Sequence, residues 1–143
     1  MEHYRKAERM YLKANINKNI FDTTAIEITE GKSVISIDIS DKFFHALGAI
    51  HGAIYFKLLD DACFFAVSSI VTDVFVLTTS FNIHIIKPVS SGKITAIGKI
   101  KFQSKNFFIA EASLFNDKGQ EIAFGTGDFT KSKIELTEKI GYL

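Results

Sequence analysis

The chain has 143 residues, 47% apolar and 23% charged, with one cysteine, one proline and no tryptophan, and 17 basic against 16 acidic side chains leave a formal net charge of +1. A chain of this length buries roughly 68–70% of its extended surface, enough for one core without a structural metal, and the single cysteine excludes a disulfide scaffold. Near-neutral charge offers no basic face for phosphates, so nucleic acid is not an expected partner.

The N-terminal stretch MEHYRKAERMYLKAN alternates charged and apolar residues and lacks the unbroken apolar core of an export signal. Within it, Tyr4, Ala7, Met10, Tyr11 and Ala14 fall on one helical stripe, which predicts a peripheral helix inside residues 1–20. Ala25 to Ile28 and Val34 to Ile39 read as strands around the turn Glu30, Gly31, Lys32. In the second, Ile35, Ile37 and Ile39 alternate with Ser36 and Asp38.

From Ile50 to Val71 the alternation disappears, and Ala, Leu and Phe dominate over a length of about six helical turns. This predicts one long central helix, its body at residues 51–71, apolar around nearly its whole circumference and therefore enclosed by other structure. Its longest apolar-dominated run, Ala62 to Val71, is interrupted by Ser68 and Ser69 and falls short of the ~18 residues that cross a bilayer. No membrane partner and a cytoplasmic location are expected. Cys63 in that run reads as a small buried hydrophobe.

Four further strands follow, at Phe75 to Ile86, Ile94 to Phe102, Phe107 to Phe115 and Glu121 to Phe129. The breaks carry turn chemistry in Ser90, Ser91 and Gly92, in Ser104 to Asn106, and in Asn116 to Gly119. Short connections predict antiparallel neighbours. The tail from Ser132 to Leu143 has no assignable pattern. The chain is thus expected to be one α+β domain over residues 1–143, a curved antiparallel sheet wrapped around a central helix.

Two carboxylates interrupt that helix. Asp61 shares a stripe with Lys57, Ser68 and Thr72 and can pair with Lys57 at i, i+4 on a solvated face. Asp60 points about 100° away, in line with Ala53, Phe56, Cys63, Phe64 and Val67, where an unpaired carboxylate is costly to desolvate. Upstream, the loop Leu47 to Ala53 ends at the helix start, whose first N–H groups lack intrahelical partners; Gly52 allows a ligand atom to approach them. Eight residues separate Gly52 from Asp60, roughly 12 Å along a helix, too far for both to act on one carbonyl. Catalysis by this pair therefore requires two copies about a two-fold axis, so that Asp60 of one faces Gly52 of the other.

The stretch GAIHGAIYFKLLDDACFFAV resembles hot-dog-fold acyl-CoA thioesterases of the PaaI type, whose signature is a Gly, then His-Gly-Gly, then a helix with Leu-x-Asp nine residues after the His. Gly48, His51, Gly52 and Asp60 match those positions. The segment TTSFNIHIIKPVSSGKITAIGKI, with Thr ahead of Asn82 and Pro88, and the segment DKGQEIAFGTGDF resemble the family's later strands, so the likeness runs from about Ile35 to Phe129.

The resemblance implies the hot-dog fold and hydrolysis of an acyl-CoA substrate to CoA and a free acid, by a homodimer or a tetramer made of two dimers. Asp60 would be general base or nucleophile, the Gly52 N–H the oxyanion donor, and His51 the residue that positions the loop or the carbonyl. Thr78 would orient the water, with Thr79 close enough to leave that choice open. His45, Gly48, Phe56 and Asn82 would contact substrate, with Phe64, Phe65, Phe81, Phe107 and Phe108 as further candidates for an acyl pocket.

Two positions depart from the pattern. Ala53 replaces the second Gly, and His45 stands where many members carry Asn, which bears on pH profile and substrate range. A zinc set from His45, His51, His84 and Asp60 matches no compact ligand spacing, so neither metal nor cofactor is expected. The alternative from another class is an acyl-CoA binding or sensing domain without turnover. A fold-related dehydratase would need a His–carboxylate motif that is not present.

Overall fold

Local chemistry sets where each element begins and ends in the computed structural model, which describes residues 1–143. Helix α1 (Glu2–Lys13) buries His3, Ala7, Met10 and Tyr11 on one face, and a short α2 (Asn15–Asn19) follows it. Strands β1 (Ala25–Thr29) and β2 (Lys32–Asp38) form a hairpin in which Ser33, Ile35 and Ile37 point into the core. Helix α3 (Gly52–Ser68) comes next, then β3 (Val74–Ile85), β4 (Lys93–Gln103), β5 (Phe107–Phe115) and β6 (Glu121–Glu135). No helix is long and apolar enough to cross a membrane.

The six strands form one antiparallel sheet in the order β1-β2-β4-β5-β6-β3, with α3 packed across one face of it. This is the α+β architecture expected from the pattern, a curved sheet around a central helix. Leu58, Leu59, Ala62, Cys63, Ala66 and Val67 of α3 are fully buried against Ile35, Ile37, Ile94, Ala110 and Leu114 of the sheet. Burial pushes the Cys63 thiol well above its ordinary range, as befits a packing residue.

The helix lies unusually close to the sheet at one point. A Cβ placed on Gly98 of β4 would stand 2.3 Å from the Ala62 carbonyl oxygen and 2.8 Å from the Cys63 nitrogen, both of them backbone atoms. Only a residue without a side chain allows that approach. Beside it, the Ser33 hydroxyl donates to the same Ala62 carbonyl at 2.6 Å, so β2 and β4 together fix how deep α3 sits.

Three expectations change. The helix is shorter than Ile50 to Val71. His51 caps its start, its Nδ1 accepting from the Ala53 N–H at 2.9 Å. At the other end the Ser69 hydroxyl donates to the Ala66 carbonyl and accepts from the Gly31 N–H, and the next backbone bonds tighten to i→i−3. The link from β3 to β4 is short but joins no neighbouring strands: β3 pairs with β6 at the far end of the sheet, and Val89 anchors the crossing, accepting from the Ile50 N–H at 3.0 Å. The unassigned tail continues β6 to Glu135 and ends in a 3-10 turn at Glu138–Ile140, held by pairing with β3 that the tail's own composition does not encode.

Gly98→Ala should cost about 3 kcal/mol or more, at the upper end of overpacking penalties, because the atoms it meets are backbone and cannot rotate away. A fall in the urea midpoint at unchanged slope checks this, and an effect below about 1 kcal/mol would show that α3 is free to shift.

Candidate functional site

Asp60 projects from the middle of α3 toward β3, where the Thr78 hydroxyl donates to its Oδ1 at 2.9 Å. A bulge decides which threonine does so. Thr78 pairs with Phe129 and Ser80 with Asp128, so Thr79 is an extra residue in the ladder. Its hydroxyl turns instead to the Asp128 carbonyl at 3.2 Å.

The Asp60 carboxyl is pushed up from 3.8 to about 6. Burial is the main cause; the Thr78 hydrogen bond pulls the value down, the neighbouring Asp61 pushes it up, and Lys57 lowers it. A carboxylate in this range is largely ionised at neutral pH yet basic enough to take a proton from water.

Asp61 does not sit on a solvated face. It pairs with Lys57 at 2.6 Å as its spacing predicts, but α1 and α2 fold over the pair. The Tyr11 hydroxyl donates to Asp61 Oδ2 at 2.7 Å, and Lys57 Nζ donates to Asn17 Oδ1 at 2.8 Å while lying over the rings of Phe21 and Tyr11. Burial and the adjacent carboxylates raise the Tyr11 hydroxyl's pKa far beyond its ordinary value, so it stays a donor. The periodicity of α3 assigns Asp61 an outward direction correctly; that two other helices cover this direction is not encoded in α3.

Asp60, Asp61, Lys57 and Thr78 line a cavity of about 540 Å³ whose remaining surface is mostly apolar, including Phe64, Phe65 and Phe75. Sequence reasoning missed the residues that line it from the chain ends, Met10 and Ile16 on one side and Ile134 and Ile140 on the other. The apolar stripe of α1 was the one available signal, for Met10 and Tyr11. Of the other aromatic candidates, Phe56 and Phe81 meet edge-to-face at 5.5 Å, and neither they nor Phe107 and Phe108 line this cavity.

Gly52 opens elsewhere. It lines a second cavity of about 330 Å³ with His45, Tyr55, Ile85 and Pro88, and its N–H has no hydrogen-bond partner within the chain. The loop before it is a tight turn. Gly48 sits at φ +78°, a left-handed conformation that L side chains disfavour, with its N–H on the His45 carbonyl and the Leu47 N–H on His45 Nδ1. With Nδ1 of His51 occupied as an acceptor from Ala53, the neutral ring carries its proton on Nε2, at an exposed position.

A single chain therefore brings Asp60 and Thr78 together and gathers His45 and Gly52, with His51 at the helix cap, but keeps the two groups in separate cavities. Asn82 is exposed one residue after the inward-facing Phe81 and lines neither of them. His84 stacks on Phe124, and no group of three or more His, Cys, Asp or Glu side chains is placed to hold a metal ion.

Residues 47–123, more than half of the chain, match the family model described as the thioesterase superfamily. Among solved structures, the fold is similar to that of the Escherichia coli PaaI protein from the phenylacetic acid degradation operon, with TM-score 0.84 and 19% identity over 95% of this chain and 97% of that one. It is also similar to a mutant of the thioesterase SAV0944 from Staphylococcus aureus, with TM-score 0.77 and 24% identity over 83% of this chain and 100% of that one. A mutant of a hypothetical thioesterase from Streptococcus pneumoniae gives TM-score 0.73 and 18% identity over 78% and 92%. No curated protein matches the sequence.

The raised pKa of Asp60 has a consequence for stability. Below 3.8 the carboxyl is protonated whether folded or not; as the pH rises toward about 6, the unfolded chain ionises first and the folded state loses relative stability. Asp60→Asn should therefore melt at higher temperature than the wild type near pH 8, with the gain vanishing in acid, as thermal unfolding across pH would read. Lys57→Met, which removes the nearby positive charge, should move the Asp60 titration above about 6 in a carboxyl-carbon NMR titration.

Proposed function

Because the chain belongs to the thioesterase superfamily, we propose that it hydrolyses an acyl-CoA thioester to CoA and a free carboxylic acid, with Asp60 as the catalytic carboxylate. The observation that carries this reading is Asp60 itself, held by Thr78 at 2.9 Å, facing a mostly apolar cavity and pushed up to about 6 by burial. A carboxylate with a bland structural role would be paired with a cation, as Asp61 is with Lys57.

In the proposed reaction Asp60 takes a proton from water while the water oxygen bonds to the thioester carbon. Thr78, donating to Oδ1, holds the carboxylate so that its other oxygen faces the water. The carbonyl oxygen becomes an oxyanion and receives a hydrogen bond from the free Gly52 N–H at the start of α3, where the helix dipole adds to the attraction. Collapse of this intermediate breaks the C–S bond, and the thiolate recovers the proton from Asp60. General base catalysis contributes typically ~10² to 10⁴ in rate and one oxyanion donor ~10² to 10³.

Asp60 and Gly52 of one protomer lie at different cavities, so the site we propose forms between two antiparallel copies of α3, as a homodimer or a pair of dimers. Two features support this. Strand β3 is an edge of the sheet with twelve residues, unpaired on its outer side. Around Gly52, the residues Leu47, Phe56, Ile85 and Ile86 are 91%, 41%, 51% and 50% exposed, an apolar patch that a monomer would leave wet. His45 lies beside Gly52 and would meet substrate at its carbonyl end.

Thiol release from a panel of acyl-CoAs tests the reading. Asp60→Asn should lose at least ~10²-fold in kcat with CoA binding retained, and the acid limb of the wild-type rate profile should fall near about 6. Thr78→Ala should lower kcat while Thr79→Ala, which removes only a bond to a backbone carbonyl, should not. Equal turnover by wild type and Asp60→Asn would reject the mechanism, and binding without turnover on any acyl-CoA would make the protein a binding domain.

A further inference from the structure

The cavity at Asp60 is lined by segments from both ends of the chain. Met10 and Ile16 line it from α1 and α2, and Ile134 and Ile140 from the last strand and the turn after it. These ends are fastened to each other and to α3. His3, buried at the foot of α1, donates from Nε2 to the Ser68 carbonyl at 2.7 Å, which leaves Nδ1 to accept from the Tyr142 hydroxyl at 2.8 Å. Arg9 donates to the Leu143 carbonyl at 2.6 Å. The wall they form is thus tied to the end of α3, and it is the rim of the cavity, with Ile16, Ile134 and Ile140 still 48%, 52% and 38% exposed.

The charges in the cavity are equally committed. Lys57 is the one cation lining it, and its ammonium hydrogens go to Asp61, Asn17 and Tyr11, leaving none for a ligand. The other ionised groups are the carboxylates of Asp60 and Asp61. An anionic group entering here would meet the uncompensated carboxylate of Asp60 and no free donor cation, since Lys57 is taken up by Asp61, and nothing would offset its desolvation. An apolar group would meet Phe64, Phe75 and the four wall residues.

Resting on the thioesterase reading above, we propose that this cavity receives the acyl part of the substrate, that the acyl group is uncharged and apolar, and that Ile140 limits its size from the C-terminal end. The acyl chain then extends from Asp60 toward this wall while the CoA portion stays outside. An acyl group ending in a carboxylate is excluded by the committed charges of the cavity, whatever its length.

The test compares kcat/KM for acetyl-CoA, octanoyl-CoA and adipoyl-CoA, the last bearing a terminal carboxylate, with wild type, Ile140→Trp and Ile140→Lys, each checked for folding by thermal melting. Wild type should prefer octanoyl over adipoyl at least a hundredfold. Ile140→Trp should lower the octanoyl-to-acetyl ratio at least tenfold, mainly through KM. Ile140→Lys, which adds an unpaired cation to the wall, should raise the adipoyl-to-octanoyl ratio at least tenfold, a gain that mere loosening of the tail would not produce. Equal wild-type use of octanoyl and adipoyl, or ratios indifferent to both substitutions, would overturn the proposal while Asp60-dependent turnover left the thioesterase reading standing. Turnover indifferent to Asp60→Asn would overturn both.

Discussion

The approach of α3 to the sheet at Gly98 is the contact on which the other distances depend. Helix backbone meets strand backbone there, with no side chain between Gly98 and the Ala62 carbonyl. A helix set at this depth buries Leu58, Leu59, Cys63 and Val67 fully, and it brings Asp60, two residues before Ala62, within hydrogen-bond reach of Thr78 on the edge strand. A larger residue at position 98 would lift the helix, straining the Ser33 bond to the Ala62 carbonyl at the point of contact and shifting Asp60 against Thr78. Packing and chemistry share one constraint.

The two adjacent aspartates show how neighbouring positions on one helix acquire opposite fates. Asp61 is neutralised by Lys57 and accepts from the Tyr11 hydroxyl, while the Lys57 ammonium lies over the Tyr11 and Phe21 rings, an arrangement in which each charge has a partner and removal of either would strand the other. Asp60 has a single neutral donor and a like charge beside it. The folded state carries an ionised, partly desolvated carboxylate that its own packing disfavours, and reactive groups generally sit under such tension between stability and chemistry.

That tension is housed beside the two ends of the chain. The N-terminal segment places Ala7, Met10, Tyr11 and Phe21 in the core, covers the Lys57–Asp61 pair and, together with the C-terminal tail, lines the Asp60 cavity. The His3, Tyr142 and Ser68 contacts join both ends to the end of α3, so the same helix that carries the carboxylate also anchors the wall beside it.

Much of this was legible in the amino-acid order. Period-two alternation and turn residues located the strands, and Phe107 to Phe115 coincides with β5. The loss of alternation marked the central helix, and 100° per residue separated Asp60 from Asp61. These are local properties, set by backbone sterics and by which face of an element is apolar. The tertiary structure alone decided that β3 lies beside β6, that the tail extends that pairing, that α1 and α2 bury an ion pair whose spacing suits a wet surface, and that Thr78 rather than Thr79 meets Asp60. Each of these depends on residues distant in sequence meeting in space, and no local period records which partner a face will find.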